Sequence, residues 1–353
     1  MNQEQISKIE KSVENLKTKT SKIYFIAQDT KGNAKASIKY IYDLALSLKN
    51  NGYNTVILNE RPDYTSVSSW LDETYDTLPH QSIEGGNLQV SPDDFIVVPE
   101  LFGFVMSQIK NIPCGKIVLC QSYDHMLETL NPGETWAQFG FYKCITTSKE
   151  QKEHIDGIMK NVSFDILEPY ISDEFKPSNL PAKPIISVHS REQSDTINLI
   201  KTFYLKYPQY RWITLRDMRG LSHSEFANKL SESFVSVWID VTSSYGTFPL
   251  ESMKSNIPVI GLVPNVLPHW MNENNGIWVN NQTHLVDIVA DHLQNWLEDN
   301  LNEEMNEKIK TTVDTLPTKE SFEKQAVSLF DEYFSVRLKS FEDQISKLQT
   351  IEE

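Results

Sequence analysis

Short apolar runs alternate with amphipathic helical stretches along this chain, and a proline-dense stretch interrupts the alternation once. That pattern constrains the chain to two successive parallel α/β units. Residues 22–27 form an apolar run, and residues 34–48 then place Ile38, Ile41, Tyr42, Ala45 and Leu48 on one helical face. Gly52 ends that helix and a second apolar run follows at 55–58, which calls for a right-handed parallel connection. Buried strands are expected next at 95–98, 116–120 and 144–146, with Ser148 and Gln151 as a capping box for the following helix. Residues 60–92, rich in Pro, Ser, Asp and Gly, read as an irregular excursion. Pro169, Pro177, Pro181 and Pro184 then suit a stiff connection. Beyond them the alternation restarts with apolar runs at 185–188, 212–215, 234–239 and 258–263. Helices are expected through 197–205, from Ser222 with Glu225 closing its cap, and from Pro249.

The expected fold is therefore α/β, two Rossmann-like domains whose parallel sheets face a central cleft. The first covers 1–168 and the second 169–318. Phe322, Ala326, Leu329, Phe330 and Tyr333 recur at helical spacing within 319–353, a segment expected to return and complete the first domain. A length of 353 residues agrees, at about 150 residues per domain. Ligands of such folds bind outside the carboxyl ends of the strands. Residues 4–19 carry Ile6, Ile9, Val13 and Leu16 at a three-four spacing, and the mixed Lys and Glu of the other face favour a docking or homo-oligomer helix over a membrane-surface one.

Composition narrows the classes of function. With 39% hydrophobic against 23% charged residues, wholesale disorder is excluded. The formal charge is 33 − 48 = −15, which argues against a general nucleic-acid or anionic-membrane binder. Cys114, Cys120 and Cys144 are odd in number and lack a CxxC spacing, which argues against a disulfide framework or a thiolate zinc site and for a cytoplasmic setting. No run of 18 apolar residues occurs and the first twenty are polar, so neither an integral membrane segment nor a secretory signal is expected. Metalloprotease, Walker, Gly-x-Gly-x-x-Gly and Gly-x-Ser-x-Gly patterns are absent.

The most informative stretch runs from Ser243 to Gly261. A strand ends near Asp240, a glycine turn follows, and Pro249 at a first helical position would start a helix. The free N–H groups of residues 245–250 would then hold phosphate oxygens, helped by the helix dipole. Glu251, in the first turn, either accepts two ribose hydroxyls or only complements the dipole.

The stretch resembles the signature of the family 4 retaining glycosyltransferases of the GT-B fold, roughly Glu-Gly-Phe-Gly-Leu-Pro-x-Leu-Glu-Ala-Met followed by Gly-x-Pro-Val-Ile. Tyr245-Gly246-Thr247-Phe248-Pro249-Leu250-Glu251-Ser252-Met253 follows it, and Ile257-Pro258-Val259-Ile260 closes it. Weaker echoes are Gly32 after the first strand, Pro99-Glu100, residues 116–121, residues 171–175, and residues 185–191 as the strand ending in the family's Gly-Arg. The resemblance implies transfer of a sugar from a nucleotide diphosphate-sugar, a substrate rather than a cofactor, to a glycan or other acceptor such as a surface polysaccharide or lipid-linked glycan. It implies Glu251 on the ribose, the amides of 246–248 on the pyrophosphate, Ser190 and Arg191 at the strand end with Arg191 neutralising phosphate, and His125 against the donor sugar. No Asp-x-Asp triplet occurs, so no metal is expected. A cationic clamp and a helix N-terminus can stabilise the leaving diphosphate instead.

Two departures stand out. Ser243 occupies the place of the family's first glutamate, and Asp195 and Thr196 stand where its lysine is usual. Either the donor sugar differs, or Arg216, Arg219 or Lys35 replaces that cation, or the chain is a catalytically silent nucleotide-sugar binder or partner subunit. A phage-type transferase on modified DNA bases is a weaker alternative, disfavoured by the acidic sum. Several candidates also have bland readings: Arg216 and Arg219 as solvated loop arginines, His125 as a structural histidine, Asn33 and Lys35 as an ordinary helix start. Trp212, Trp238, Trp270 and Trp278 read as core.

Overall fold

Runs of four to seven residues dominated by Val, Ile and Phe form strands buried on both faces, as parallel sheets require. The computed structural model describes residues 2–84, 88–300 and 303–350; residues 85–87 of the excursion and 351–353 of the C-terminal segment lie outside them. After α1 (Asn2–Lys17), the first sheet comprises β1 (Lys22–Ile26), β2 (Asn54–Asn59), β3 (His80–Ser82), β4 (Phe95–Pro99), β5 (Gly115–Cys120), β6 (Lys143–Thr146) and β7 (Ser163–Ile166). Its order is β3-β2-β1-β4-β5-β6-β7 and every pairing is parallel. Between these strands run α2 (Ala36–Asn50), α3 (Gly103–Gln108), α4 (Tyr123–Thr129) and α5 (Lys149–Asp156).

The second sheet comprises β8 (Lys183–His189), β9 (Thr214–Asp217), β10 (Ser233–Trp238), β11 (Val259–Leu262) and β12 (Ile277–Val279), again all parallel, in the order β12-β11-β10-β8-β9. Its helices are α6 (Gln193–Lys206), α7 (His223–Leu230), α8 (Thr247–Lys254), α9 (Gln282–Leu297) and α10 (Glu303–Asp314), and α11 (Lys319–Thr350) ends the described chain. Contacts divide the chain into two units, one of residues 1–147, 152–168 and 320–353, the other of 148–151 and 169–319.

Within the first unit α11 is held by its aromatic face. Phe330 packs against Phe25 at 6.3 Å between ring centroids, Phe334 stacks on Phe95 at 4.9 Å, and Phe322 meets Tyr40 edge-on at 5.8 Å. Tyr333 donates its hydroxyl to Asp165 at 2.8 Å. Helix α1 is fastened by one buried carboxylate, since Asp93 accepts from Ser12, Asn15 and Ser21 at 3.0, 3.0 and 2.8 Å.

Three strands escape the sequence pattern: β3, β7 and β12, each at a sheet edge. An edge strand has one open side and tolerates polar side chains, so His80-Gln81-Ser82 carries no apolar run. The proline-dense connection is also less free than expected, because Ile171 and Phe175 are buried in the second unit's core beside Trp238 and Met253. Trp238 and Trp270 are core as expected, whereas Trp278 is half-buried and Trp212 stands 56% exposed. Removing the fully buried Phe330 ring by Phe330→Ala is expected to cost about 3–5 kcal/mol in urea unfolding. A loss below about 1 kcal/mol would contradict its place in the core.

Candidate functional site

Parallel strands bring their carboxyl ends to one rim, so the loops leaving β8, β9 and β10 share an edge of the second sheet. From β8 the chain proceeds outward to β9 on one side, and from β10 it proceeds to β11 and β12 on the other. The topological switch point, where open α/β sheets bind ligands, therefore lies between β8 and β10. Ser190 and Arg191 leave β8 at that point, and residues 239–246 leave β10.

The loop after β10 is built around Asp240. Its Oδ1 accepts from the Thr242 amide at 3.1 Å and the Thr242 hydroxyl at 3.0 Å, while its Oδ2 lies 3.6 Å from Arg191 Nε. One carboxylate thus ties together the exits of neighbouring strands. Ser190 is buried, and its hydroxyl accepts the Glu192 amide at 3.2 Å ahead of α6.

The turn into α8 is more enclosed than a bare anion cradle. Gly246 caps the helix at φ 74°, a left-handed conformation that favours glycine. A Cβ there would come within 3.0 Å of Trp270 and 3.2 Å of both Trp238 and Pro249. The Trp270 indole N–H donates to the Tyr245 carbonyl at 2.7 Å, and the Tyr245 hydroxyl donates to the Pro169 carbonyl at 3.0 Å. Tyr245, Phe248 and Leu250 are all buried. Ser243, Thr247 and Glu251 remain half-buried at the rim.

Two expectations are corrected here. The helix starts at Thr247, not Pro249, so proline takes its third position and removes one amide from the expected row. The Gly246 amide is not bare either, because it donates to Ser243 Oγ at 3.1 Å. The helix-start amides left without a place in the intrahelical ladder are those of Thr247 and Phe248. Ser243, at the place of a carboxylate in the resembled signature, here closes the turn.

Beneath the turn lies a residue that sequence reasoning passed over. His189 ends β8, and its ring stacks on Phe248 at 4.9 Å and 30°, with Phe226 edge-on at 6.1 Å. Its Nδ1 is buried without a hydrogen-bond partner. Burial lowers its pKa from 6.5 to about 4; Asp240 and Asp217 oppose that and Arg219 reinforces it. The signal was available in its position directly before Ser190 and Arg191 at a predicted strand end.

Two candidate arginines are not free for phosphate. Arg216 donates to the Lys229 carbonyl at 2.8 Å and pairs with Glu232 at 2.9 Å. Lys229 and Glu232 flank the turn leading into β10, so this guanidinium is drawn toward the amino-terminal rim, away from the switch point. Arg219 makes a bidentate contact with Asp217, through Nε at 2.9 Å and through Nη2, which holds the carboxyl below its usual range and the guanidinium above its own.

The remaining candidates belong to the first unit. Gly32 (φ 80°), Asn33 and Lys35 lie in the loop after β1. The Asn33 side chain donates to the Thr30 carbonyl at 2.9 Å, and Lys35, the residue before α2, reaches Gln28 at 3.2 Å. The helix begins at Ala36, two residues later than expected, so Asn33 is a loop residue. His125 sits on α4 beside Glu128 at 3.2 Å. Gln121 joins these loops by donating to the Ser37 carbonyl at 3.1 Å. On the same rim Glu100, at the end of β4, is buried, accepts the Ser122 amide at 2.8 Å, and has its pKa raised by burial to about 7. Among the described residues no group of three or more His, Cys, Asp or Glu is placed to hold a metal ion, and no helix is long and apolar enough to cross a membrane.

Two α/β units with all-parallel sheets, each with loops gathered at a switch point, define a fold of the GT-B type. Solved structures of that type superpose on the chain. A sucrose-phosphate synthase from Thermosynechococcus elongatus matches with a TM-score of 0.64 at 14% identity, over 90% of this chain and 100% of that one. Anabaena Alr3699/HepE in complex with UDP and glucose matches with a TM-score of 0.62 at 11% identity, over 88% and 100%. At such identities the likeness is one of fold. In sequence, the chain is 25% identical over 187 residues to an alpha-1,6-glucosyltransferase of Actinobacillus pleuropneumoniae serotype 7 (strain AP76), a match covering 49% of this chain and 54% of the relative. The chain thus spans about half the length of the curated relative it matches. No protein-family model matches.

The low pKa of His189 makes stability depend on pH. Between about 6.5 and about 4 the unfolded chain holds the proton that the folded one excludes, so stability rises with pH across that window. The contribution is full above about pH 6.5 and lost as pH falls to about 4. In urea titrations at several pH values, His189→Phe should remove on the order of 3 kcal/mol of that dependence. Equal slopes for both proteins would show the ring is not buried as described.

Proposed function

We propose that the chain is a glycosyltransferase that takes a sugar from a nucleoside diphosphate donor. The observation that carries this reading is the location of the turn at 243–246 and the start of α8 at the switch point between β8 and β10, with Arg191 facing it from the neighbouring strand exit. The Thr247 and Phe248 amides, the Thr247 hydroxyl and Arg191 would take the pyrophosphate, and Glu251, one turn into the helix, would take the ribose. Charge develops on the departing diphosphate, and fixed amides plus a guanidinium already oriented by Asp240 meet it without reorganisation and without a metal. Ser243, Tyr245, Gly246 and Phe248 shape the turn rather than touch the sugar.

UDP-glucose is the donor favoured here, because the matched relative is named for glucosyl transfer and one fold neighbour was solved with UDP and glucose. An α-linkage, as in that relative's name, is the product of retention from an α-linked donor, so retention belongs to the same reading. The acceptor is a glycan or a glycan-bearing molecule, held through the first unit, where His125, Gly32, Asn33 and Lys35 share the strand-exit rim. A second reading, a silent nucleotide-sugar binder, is favoured by one observation: Ser243 Oγ is committed to the Gly246 amide and no carboxylate stands in its place.

Calorimetry with UDP and UDP-glucose tests the binding. Each of Arg191→Ala and Glu251→Ala should weaken UDP by about tenfold or more, the worth of a charged hydrogen bond. Arg216→Ala should leave it unchanged. No binding by the unaltered protein would overturn the proposal. Binding without UDP release on any glycan acceptor selects the silent binder.

A further inference from the structure

The opposite rim of the second sheet carries a cavity that the proposed reaction does not use. It lies at the amino ends of β10 and β11 and is walled by α9 and α10, with a volume of about 320 Å³. That is near the lower bound of ligand sites, about 300 Å³, and suits a small molecule.

Its lining combines two kinds of side chain. Phe234, His292 and Trp296 make an aromatic wall, with Phe234 stacked on Trp296 at 4.5 Å and nearly parallel to His292 at 6.2 Å. Asn256, Asn295, Asn300 and Asn306 bring carboxamides, each with a carbonyl acceptor and two N–H donors. Two of these polar groups are left wanting: Asn256 Oδ1 and His292 Nε2 are buried with no hydrogen-bond partner, although buried polar atoms are ordinarily paired.

The charge pattern is equally informative. Asp, Glu, Lys and Arg make up 23% of the chain, yet none of them is among the described residues that line the cavity. Burial also lowers the pKa of His292, which keeps that ring neutral. A phosphate, carboxylate or ammonium would therefore be desolvated with no counter-charge from the described lining residues. A flat nucleobase fits poorly as well, because Phe234 and Trp296 already stack on each other and leave no slot between rings.

From these observations we propose that the cavity binds a neutral saccharide unit, its hydroxyls satisfied by the Asn carboxamides and His292 and its C–H face laid against the aromatic wall. The site is separate from the switch-point rim and stands whether or not that rim takes a nucleotide.

Ligand-observed NMR titration of the full chain with glucose, isomaltose, glucose 1-phosphate and uridine tests this. Glucose or isomaltose should bind saturably, and glucose 1-phosphate at least about tenfold more weakly, for want of a counter-charge. His292→Phe keeps the ring and removes Nε2, and Asn295→Leu alters an exposed position, so both should fold. Each should weaken the neutral sugar by about three- to tenfold, the worth of one hydrogen bond. The proposal fails if neither neutral sugar saturates, if both variants bind it as the unaltered protein does, or if uridine or glucose 1-phosphate binds more tightly.

Discussion

The candidate site depends on one close packing: Gly246 in a left-handed turn between the indoles of Trp238 and Trp270. Trp238 closes β10 and Trp270 reaches the same turn from after β11, anchoring it through its N–H to the Tyr245 carbonyl. Any side chain at 246 would press on both rings, which would have to give way, and demand a strained backbone. With the glycine in place, the chain leaves the strand, reverses, and enters α8 directly. The buried Tyr245 and Phe248 then hold the helix start against the second unit's core. At the rim Thr247 and Glu251 are half-buried, and Ser243 closes the turn beside them through the Gly246 amide.

Electrostatics at this rim is organised in advance. Asp240 holds Arg191 and the Thr242 turn, Asp217 holds Arg219, and His189 sits neutral under Phe248. With Arg219 taken up by Asp217, a chain with a formal charge of −15 thus keeps at this edge a guanidinium, that of Arg191, positioned by the Asp240 carboxylate at 3.6 Å. Such pairing lowers the cost of ordering a guanidinium when an anion arrives, which is the physical content of preorganisation. Arg216 shows the contrary case, a strand arginine consumed by Glu232 and a helix-end carbonyl.

Much of this was legible in the sequence, for a physical reason. Strands buried on both faces must be apolar throughout, so the central strands of both sheets stand out as short runs, and the glycine-proline turn with Glu251 marks the switch point. The edge strands β3 and β7 were not legible, because one open side relaxes the demand for apolar residues, and β12, though apolar, is only three residues long. Pro249 misled by two positions, since proline is tolerated throughout a first turn. The roles of Ser243, Arg216 and His189 depend on partners distant in the chain, Gly246 apart, and no spacing rule reports those. Trp212 lies in an apolar run and is nonetheless exposed, a reminder that a run names a strand and not the fate of its first residue.

Hydrogen exchange followed by mass spectrometry over residues 240–251, with and without saturating UDP, tests the central claim most directly. If the start of α8 receives the diphosphate, exchange at Thr247 and Phe248 should slow on adding UDP while the cavity-lining end of α9 is unchanged. Unaltered exchange across that segment, with UDP shown to be bound, would place the nucleotide elsewhere and contradict the account.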